Sequence, residues 1–149
     1  MKISFDLDDT LIPSQSGDFP VERKNTFQKL FGIESIRKGT VDLINALQES
    51  EHSVGVYTTS YRSKLKIFLT FLTYGLILDF IINEKQNRRK LKKKGIYCSK
   101  FPPAFGIDLH VDDSKGVGLE GVKNNFQTVI VRQSDTDWKN QVMKACASK

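Results

Sequence analysis

The chain contains little cysteine and no long apolar run. Its two cysteines, Cys98 and Cys146 among 149 residues, lack the close spacing of a metal or redox motif. No apolar run approaches the roughly 20 residues that span a bilayer, and the first residues lack the basic and apolar regions of a signal peptide. These absences predict a cytoplasmic protein with reduced thiols.

The chain has the proportion of apolar residues that globular proteins have, which excludes a disordered chain. Hydrophobic residues make up 39% and aromatic residues 10% of the sequence, as in globular proteins. A chain of this length buries a sizeable core in one domain. We find no internal repeat and predict a single domain over residues 1–149.

Acidic residues are nearly absent from the stretch 85–100, although the chain as a whole has a net charge of only +6. After Glu84, the stretch contains the basic residues Lys85, Arg88, Arg89, Lys90, Lys92, Lys93, Lys94 and Lys100. Such a run attracts phosphorylated or polyanionic partners. No aromatic residue lies between 85 and 96, as a single-strand binding platform would need. We therefore expect a solvated helix face or loop and no stable nucleic-acid partner.

Apolar patterning predicts strands that alternate with helices. The predicted strands are residues 2–5, 53–57, 79–83, 107–111 and 128–131. The predicted helices are residues 21–32, 40–50, 61–74, 115–124 and a last one that begins at Ser134 or Asp135; Pro13–Pro20 is predicted as a loop. This alternation favours an α/β fold with a mainly parallel sheet.

Two predictions concern the ends and faces of these helices. Thr40 follows Gly39 and has the residue type of an N-cap. In the helix that begins near Tyr61, the residues Leu65, Phe68, Leu69 and Leu72 share a face, which we predict to be buried.

Polar side chains follow three of the predicted strands. Asp6, Asp8 and Asp9 follow the first strand, Thr58 follows the second, and Asp112 and Asp113 follow the fourth. In open parallel sheets the ligand crevice lies at the carboxyl ends of the strands, so we expect these groups to meet. Neighbouring carboxylates make ionisation costly, and Mg²⁺ relieves this by binding one or two of them together with substrate phosphate.

These residue types support phosphoryl chemistry. Asp6 can attack phosphorus and form an aspartyl-phosphate, and Asp8 can protonate the leaving oxygen and later activate water. Mg²⁺ held by Asp6 and Asp113 would neutralise charge. Thr58 and the backbone N–H groups that begin the following helix would hold phosphate oxygens, and a lysine would complete the set.

The ordered motifs resemble those of the haloacid dehalogenase (HAD) superfamily. Residues 6–11, Asp-Leu-Asp-Asp-Thr-Leu, match its first motif, Asp-x-Asp-x-Thr. Thr58 resembles the second motif, and Asp112-Asp113 resembles the Asp-Asp form of the fourth. The resemblance covers residues 3 to about 132. It implies a Rossmann-like three-layer sandwich with a five-stranded sheet and the activity of a Mg²⁺-dependent phosphatase that uses an aspartyl-phosphate intermediate.

The resemblance also implies roles for individual residues. Asp6 would be the nucleophile, and Asp8 the acid/base, with its backbone carbonyl on Mg²⁺. Asp113 would be the metal ligand of the fourth motif, with Asp112 auxiliary. Thr58, with Thr59 beside it, would bind substrate. The third-motif lysine is Lys100, in the context Lys-Phe-Pro-Pro, with Lys85 and Lys90 as alternatives.

The spacing of the motifs leaves no room for a large cap domain. About 47 residues separate Thr10 from Thr58, enough for a loop and two helices, and the stretch 84–100 is shorter still. This indicates a capless member whose open rim admits a small phosphate ester, a phosphorylated protein side chain or a nucleic-acid end.

Two other functions use similar residues. A receiver-like signalling module also gathers acidic residues and a phosphorylatable aspartate at strand ends. Such a module would have its phosphoacceptor after a middle strand and would not need the second aspartate, Asp8. A HAD fold that only binds or scaffolds is the other alternative, although the main catalytic positions are intact.

Overall fold

The computed structural model describes residues 1–14 and 19–147. Part of the predicted loop Pro13–Pro20, residues 15–18, lies outside the described residues. The strands are β1 (Lys2–Phe5), β2 (Ser53–Tyr57), β3 (Phe80–Ile82), β4 (Leu109–Asp112) and β5 (Gln127–Ile130). The helices are α1 (Thr26–Leu30), α2 (Thr40–Glu49), α3 (Lys64–Thr73), α4 (Glu84–Lys94), α5 (Lys115–Lys123) and α6 (Trp138–Ala147), with a 3₁₀ turn at Pro102–Phe105.

All five strands form one parallel sheet, and this confirms the predicted fold class. The strand order is β3-β2-β1-β4-β5, so the first strand in sequence is the middle strand in space. β1 pairs with β2 in the register Phe5↔Val56 and with β4 in the register Phe5↔Val111. The carboxyl ends of β1, β2 and β4 therefore lie side by side.

Strand residues alternate between two differently filled faces of the sheet. On one face, Ile3, Phe5 and their neighbours pack against buried residues of α2, α3 and α6, such as Leu47, Phe71 and Val142. The opposite face holds a smaller apolar cluster around Tyr57 and is covered by α4 and α5. The result is a three-layer sandwich.

The edge strand β3 approaches β2 closely at Gly55. A Cβ at Gly55 would lie 2.3 Å from the carbonyl oxygen of Phe80 and 2.7 Å from its ring. Real Cβ atoms do not approach other atoms so closely, so any side chain at this position would force β3 away from β2.

The helix predicted over residues 21–32 is much shorter in the structure. Val21 instead forms an antiparallel bridge with Arg37, and α1 begins only after Asn25. Asn25 caps it: the Asn25 side chain accepts a bond from Gln28 N, and the Gln28 side chain accepts one from Asn25 N. This reciprocal capping box sets the helix start that apolar spacing had placed too early.

The predicted buried face of the third helix is also wrong. Leu65, Phe68, Leu69 and Leu72 are exposed, and the helix buries Ile67, Thr70 and Phe71 instead. Apolar residues occur on most sides of α3, so several faces fit the 3.6-residue period equally well. The start of this helix, predicted near Tyr61, lies at Lys64 after the cap Ser63.

The remaining boundaries agree with the predictions to within a few residues. Gly39, with φ of +87°, is the N-cap of α2, and Thr40 is its first helical residue, so the predicted cap is one residue too late. α6 begins at Trp138, after the predicted start. In the part of the chain that the structure describes, no helix has the length and apolar character needed to cross a membrane.

Candidate active site at the carboxyl edge of the sheet

The structure brings three of the predicted carboxylates together. Asp6 directly follows β1, and the β1–β4 register places it level with Asp112. Asp113 is the next residue. One carboxylate oxygen from each of these three residues lies within 4.8 Å of the others, at the edge where parallel sheets bind their ligands.

Lys100 completes this cluster and is the predicted lysine that reaches it. Its Nζ lies 2.7 Å from Asp6 Oδ1 and 2.6 Å from Asp112 Oδ2, and the side chain is buried. The alternatives Lys85 and Lys90 are exposed on α4. Burial alone would lower the pKa of Lys100, but the two carboxylates outweigh it and raise that pKa, so the ammonium stays charged.

Glu120 of α5 positions the backbone that presents Lys100. Its carboxylate accepts bonds from Ser99 N at 2.8 Å, Ser99 Oγ at 2.7 Å and Lys100 N at 3.3 Å. The segment before the 3₁₀ turn is therefore fixed against α5, which keeps the long lysine side chain in reach of Asp6.

The hydrogen bonds of Asp112 are occupied by protein groups. Its Oδ2 accepts from Lys100 Nζ and from His110 Nε2 at 2.9 Å, and its Oδ1 accepts from Ser114 N at 2.8 Å. Burial would raise the pKa of Asp112, but His110 and Lys100 outweigh it and lower that pKa to about 2. Asp112 is thus an ionised anchor for the lysine.

His110 is buried in β4. A carboxylate cannot donate, so Nε2 carries the proton that binds Asp112, and Nδ1 of the neutral ring accepts from Ser4 Oγ at 2.8 Å. Burial lowers the pKa of His110. The histidine therefore adds a hydrogen bond to the cluster without adding charge.

Asp6 and Asp113 carry the uncompensated charge. Burial raises the pKa of Asp6, and burial with the charges of Asp112 and Asp6 raises that of Asp113. Among the described residues, the three carboxylates of the cluster face the one ammonium of Lys100, which leaves two negative charges when all are ionised. A divalent cation would balance them.

The donor set fits a hard divalent cation such as Mg²⁺. Asp6 Oδ1 is buried and has no aligned hydrogen bond from the described residues; Lys100 Nζ approaches it at ion-pair distance. Oxygen ligands of this kind suit Mg²⁺, Ca²⁺ or Mn²⁺ rather than softer metals. Because Asp112 already accepts three hydrogen bonds from protein groups, Asp6 and Asp113 are the side chains that would hold the ion.

The loop after Asp6 makes a sharp turn and contacts the acidic cluster. Asp9 has φ of +60°, a left-handed conformation that Asp tolerates, and its carboxylate accepts from Ser14 N at 3.0 Å. The turn buries Thr10, whose Oγ1 donates to Asp113 Oδ1 at 3.2 Å. Thr10 therefore orients the Asp113 carboxylate.

Asp8 lies at the outer rim and has a partner that the sequence did not indicate. Arg62 Nη1 donates to Asp8 Oδ1 at 2.7 Å and to Ser60 Oγ at 2.7 Å, while Nε and Nη2 bind Glu34 at 3.0 and 2.8 Å. The side chain of Asp8 is about half exposed, 45%. Neither Arg62 nor Glu34 lies in a periodic or motif position, so no sequence signal distinguishes them from surface charges.

Thr58 and Thr59 take different positions. Thr58 is buried one residue beyond the point level with Asp6, and its Oγ1 accepts from Ser60 N at 3.1 Å. Thr59 is exposed and lines a neighbouring groove. Because α3 starts only at Lys64, the amides next to Thr58 belong to a loop and not, as predicted, to the start of a helix.

Fold and site together define an α/β protein with a buried lysine and an acidic cluster at the carboxyl edge of its parallel sheet. No protein-family model matches the sequence, and no curated protein matches it significantly. The function is therefore argued from the chemistry of these side chains.

Proposed function

We propose that this protein is a Mg²⁺-dependent phosphohydrolase of the HAD type that acts through a phosphorylated Asp6. The observation that carries the proposal is the position of Lys100, whose ammonium contacts both Asp6 and Asp112 while Asp113 lies in the same cluster. A fixed cation beside a buried carboxylate at a strand end suits a nucleophile that must meet a phosphate dianion.

The reaction would proceed in two steps. In the first, a carboxylate oxygen of Asp6 forms a bond to phosphorus, the ester P–O bond breaks, and Asp8 gives its proton to the leaving oxygen. In the second, Asp8 takes a proton from water, the water oxygen bonds to phosphorus, and the acyl phosphate P–O bond breaks to release phosphate and Asp6.

The residues around Asp6 would bind the phosphate, position Lys100 and hold the metal. Lys100 and Thr58 would hold phosphate oxygens, and Asp112 with His110 would keep Lys100 in place. Asp6 and Asp113, with the backbone carbonyl of Asp8, would hold Mg²⁺, which when bound neutralises phosphate charge and orients the phosphoryl group.

A receiver-like module without turnover is the main alternative. Strand position no longer argues against it, because β1 is the middle strand of the sheet. What favours an enzyme is Asp8, since a phosphoacceptor alone does not need a second carboxylate two residues away. The bond from Arg62 places this carboxylate at the rim above the cluster.

The first experiment is steady-state hydrolysis of phosphorylated metabolites, phosphopeptides and 5′- or 3′-phosphorylated oligonucleotides, with Mg²⁺ and with chelator. We expect turnover that requires the metal and is abolished by Asp6→Asn. The matched control is Asp42→Asn, which removes a surface carboxylate paired with Lys139 at 3.3 Å, and should retain activity. Absence of Mg²⁺ binding in the wild-type protein would refute the proposal.

Asp8→Asn distinguishes the enzyme from a binding module. In an enzyme the loss of the acid/base group lowers kcat by about 10²–10⁴-fold, while Mg²⁺ and inorganic phosphate still bind to the intact cluster. In a module without turnover, both the phosphorylation of Asp6 by acetyl phosphate and its rate of loss would be unchanged.

A further inference from the structure

A groove of about 550 Å³ opens beside the candidate active site. One wall is the exposed side of α4, and the other is the returning segment 96–99. Its upper end includes Thr59 and Ser99, the sequence neighbours of Thr58 and Lys100. The groove therefore adjoins the two segments that carry Thr58 and Lys100.

Two tyrosines line the groove and are almost fully accessible. Tyr61 is 81% and Tyr97 is 99% exposed. Tyr61 lies in the loop after β2, and Tyr97 lies in the turn after α4. The stretch 85–96 contains no aromatic residue, but these two tyrosines flank it. The Tyr61 hydroxyl accepts a bond from Arg88 Nη2 at 2.9 Å, which joins the loop after β2 to α4.

The groove is also basic, and this charge continues beyond it along α4. Glu84 is the acid at the start of the helix, and Arg88 pairs with it at 3.1 Å. Lys92 lies in the groove, and Lys85, Arg89, Lys93 and Lys94 are exposed on the same helix. The eleven residues of α4 span about 16 Å. A row of this length suits a chain of phosphates better than a single anion.

We propose that this groove binds the terminal nucleoside of a single-stranded nucleic acid whose end phosphate enters the candidate active site. The inference rests on the proposed function and names its substrate class. Exposed aromatic rings beside a basic track are the features by which proteins bind single strands, with bases on the rings and phosphates on the cations. The open rim admits such a chain end.

The groove's role in binding is tested with the Asp6→Asn protein and Mg²⁺. Fluorescence anisotropy measures the Kd of short single-stranded oligonucleotides with a 5′-phosphate, a 3′-phosphate or neither. We expect Tyr97→Ala to weaken binding of a phosphorylated strand about tenfold, whereas Tyr97→Phe, which keeps the ring, restores it. Equal Kd values for the two variants would overturn the inference.

The basic track is tested through the salt dependence of the same binding. Lys92→Gln should reduce the slope of log Kd against log salt by about 0.7, as expected for one lost phosphate contact with a single strand. Lys123→Gln, an equal charge change at an exposed site on α5, should leave the slope unchanged. The same slope in both variants would place the strand elsewhere and overturn the inference.

Turnover separates this inference from the proposed function. In the otherwise wild-type protein, Tyr97→Ala should lower the ratio of kcat/KM for the phosphorylated oligonucleotide to that for acetyl phosphate about tenfold. If the protein hydrolyses acetyl phosphate but neither binds nor hydrolyses the oligonucleotide, the groove inference is overturned and the proposed phosphohydrolase activity is supported. Oligonucleotide binding that depends on Tyr97 without any hydrolysis would support the groove and overturn the phosphohydrolase.

Discussion

Arg62 is the residue whose position adds most to the candidate site. It uses one nitrogen to bind Asp8 and Ser60 and the other two to bind Glu34. Charge-assisted bonds of this kind are short and directional, so Asp8 is held at a fixed distance from the cluster. Glu34 belongs to the segment between α1 and α2, and the rim is therefore tied to that segment.

We predict that Arg62→Gln lowers kcat about a hundredfold with a smaller effect on KM, because a misplaced acid/base group costs about that much. Arg62→Lys should recover part of the rate, since it restores a cation next to Asp8. Lys66→Gln is the control: Lys66 also pairs with Glu34, at 3.5 Å, but has no contact with Asp8 among those described. Equal losses in Arg62→Gln and Lys66→Gln would contradict a positioning role.

His110 gives stability a pH dependence opposite in sign to that of Asp6 and Asp113, whose pKa values are raised. Its pKa is lowered by burial from the ordinary 6.5. Below pH 6.5 the unfolded chain binds a proton there and the folded protein does not. Since stability rises with pH wherever the unfolded state binds more protons, it falls as the pH drops from about 6.5 toward 5.

The expected slope in that window approaches about 1.4 kcal/mol per pH unit. Urea unfolding in the presence of chelator, from pH 7.5 to pH 5, measures it. His110→Gln should flatten the curve over this window, whatever its effect on absolute stability. A slope that persists in the variant would show that another group is responsible.

Among individual residues, the acidic residues and Lys100 were predicted from the sequence, but the residues that position them were not. Asp6, Asp112 and Asp113 stand directly after apolar runs, so the geometry of parallel strands brings them together. Arg62, Glu34 and Glu120 act through contacts between segments distant in sequence. Such contacts leave no local pattern, and charged residues of this kind look the same as ordinary surface residues.

Among the elements, the contact between β2 and β3 is the least tolerant of change. We predict that Gly55→Ala lowers the free energy of unfolding by about 1–3 kcal/mol, because its Cβ would overlap the Phe80 carbonyl. For a chain of this size the melting temperature would fall by roughly 2–12 °C.

Gly116→Ala is the matched control for this substitution. Gly116 lies within α5, and an added Cβ would meet only the Ser114 hydroxyl at 3.3 Å. Alanine favours a helix over glycine by up to about 1 kcal/mol, so this variant should be neutral or slightly more stable. Thermal unfolding of the two variants and the wild-type protein compares their melting temperatures. An unchanged melting temperature in Gly55→Ala would contradict the predicted overlap.

The helices also show where hydrophobic periodicity does not predict which residues are buried. Strands were predicted well, because each is a short apolar run between polar residues. Helix α3 was placed well but its face was wrong, since Leu65, Phe68, Leu69 and Leu72 fit the period as well as Ile67 and Phe71 do. Only the sheet decides which stripe is buried, and that information is not local.

For the whole molecule, the charge imbalance of the cluster predicts stabilisation by a divalent cation. At Mg²⁺ concentrations a hundred times the Kd, binding to the folded state adds about 2.7 kcal/mol, or about 5–10 °C in melting temperature. Asp113→Asn should lose most of this gain. Sodium chloride at equal ionic strength is the control for general screening; an equal gain with sodium would contradict a specific site.

The central position of β1 has a consequence for synthesis in the cell. Ser4 and His110, which meet across β1 and β4, are 106 residues apart. At 5–20 residues per second on the ribosome, roughly 5–20 seconds pass before β4 follows β1 out of the polymerising centre. During that time the emerging chain carries Asp6 without Lys100, without Asp112 and Asp113, and without a partner for one edge of its middle strand. Until translation has passed residue 112, the acidic cluster is incomplete and one edge of β1 is unpaired. We therefore expect the nascent chain to be prone to aggregation, and the proposed metal site to form only after that point.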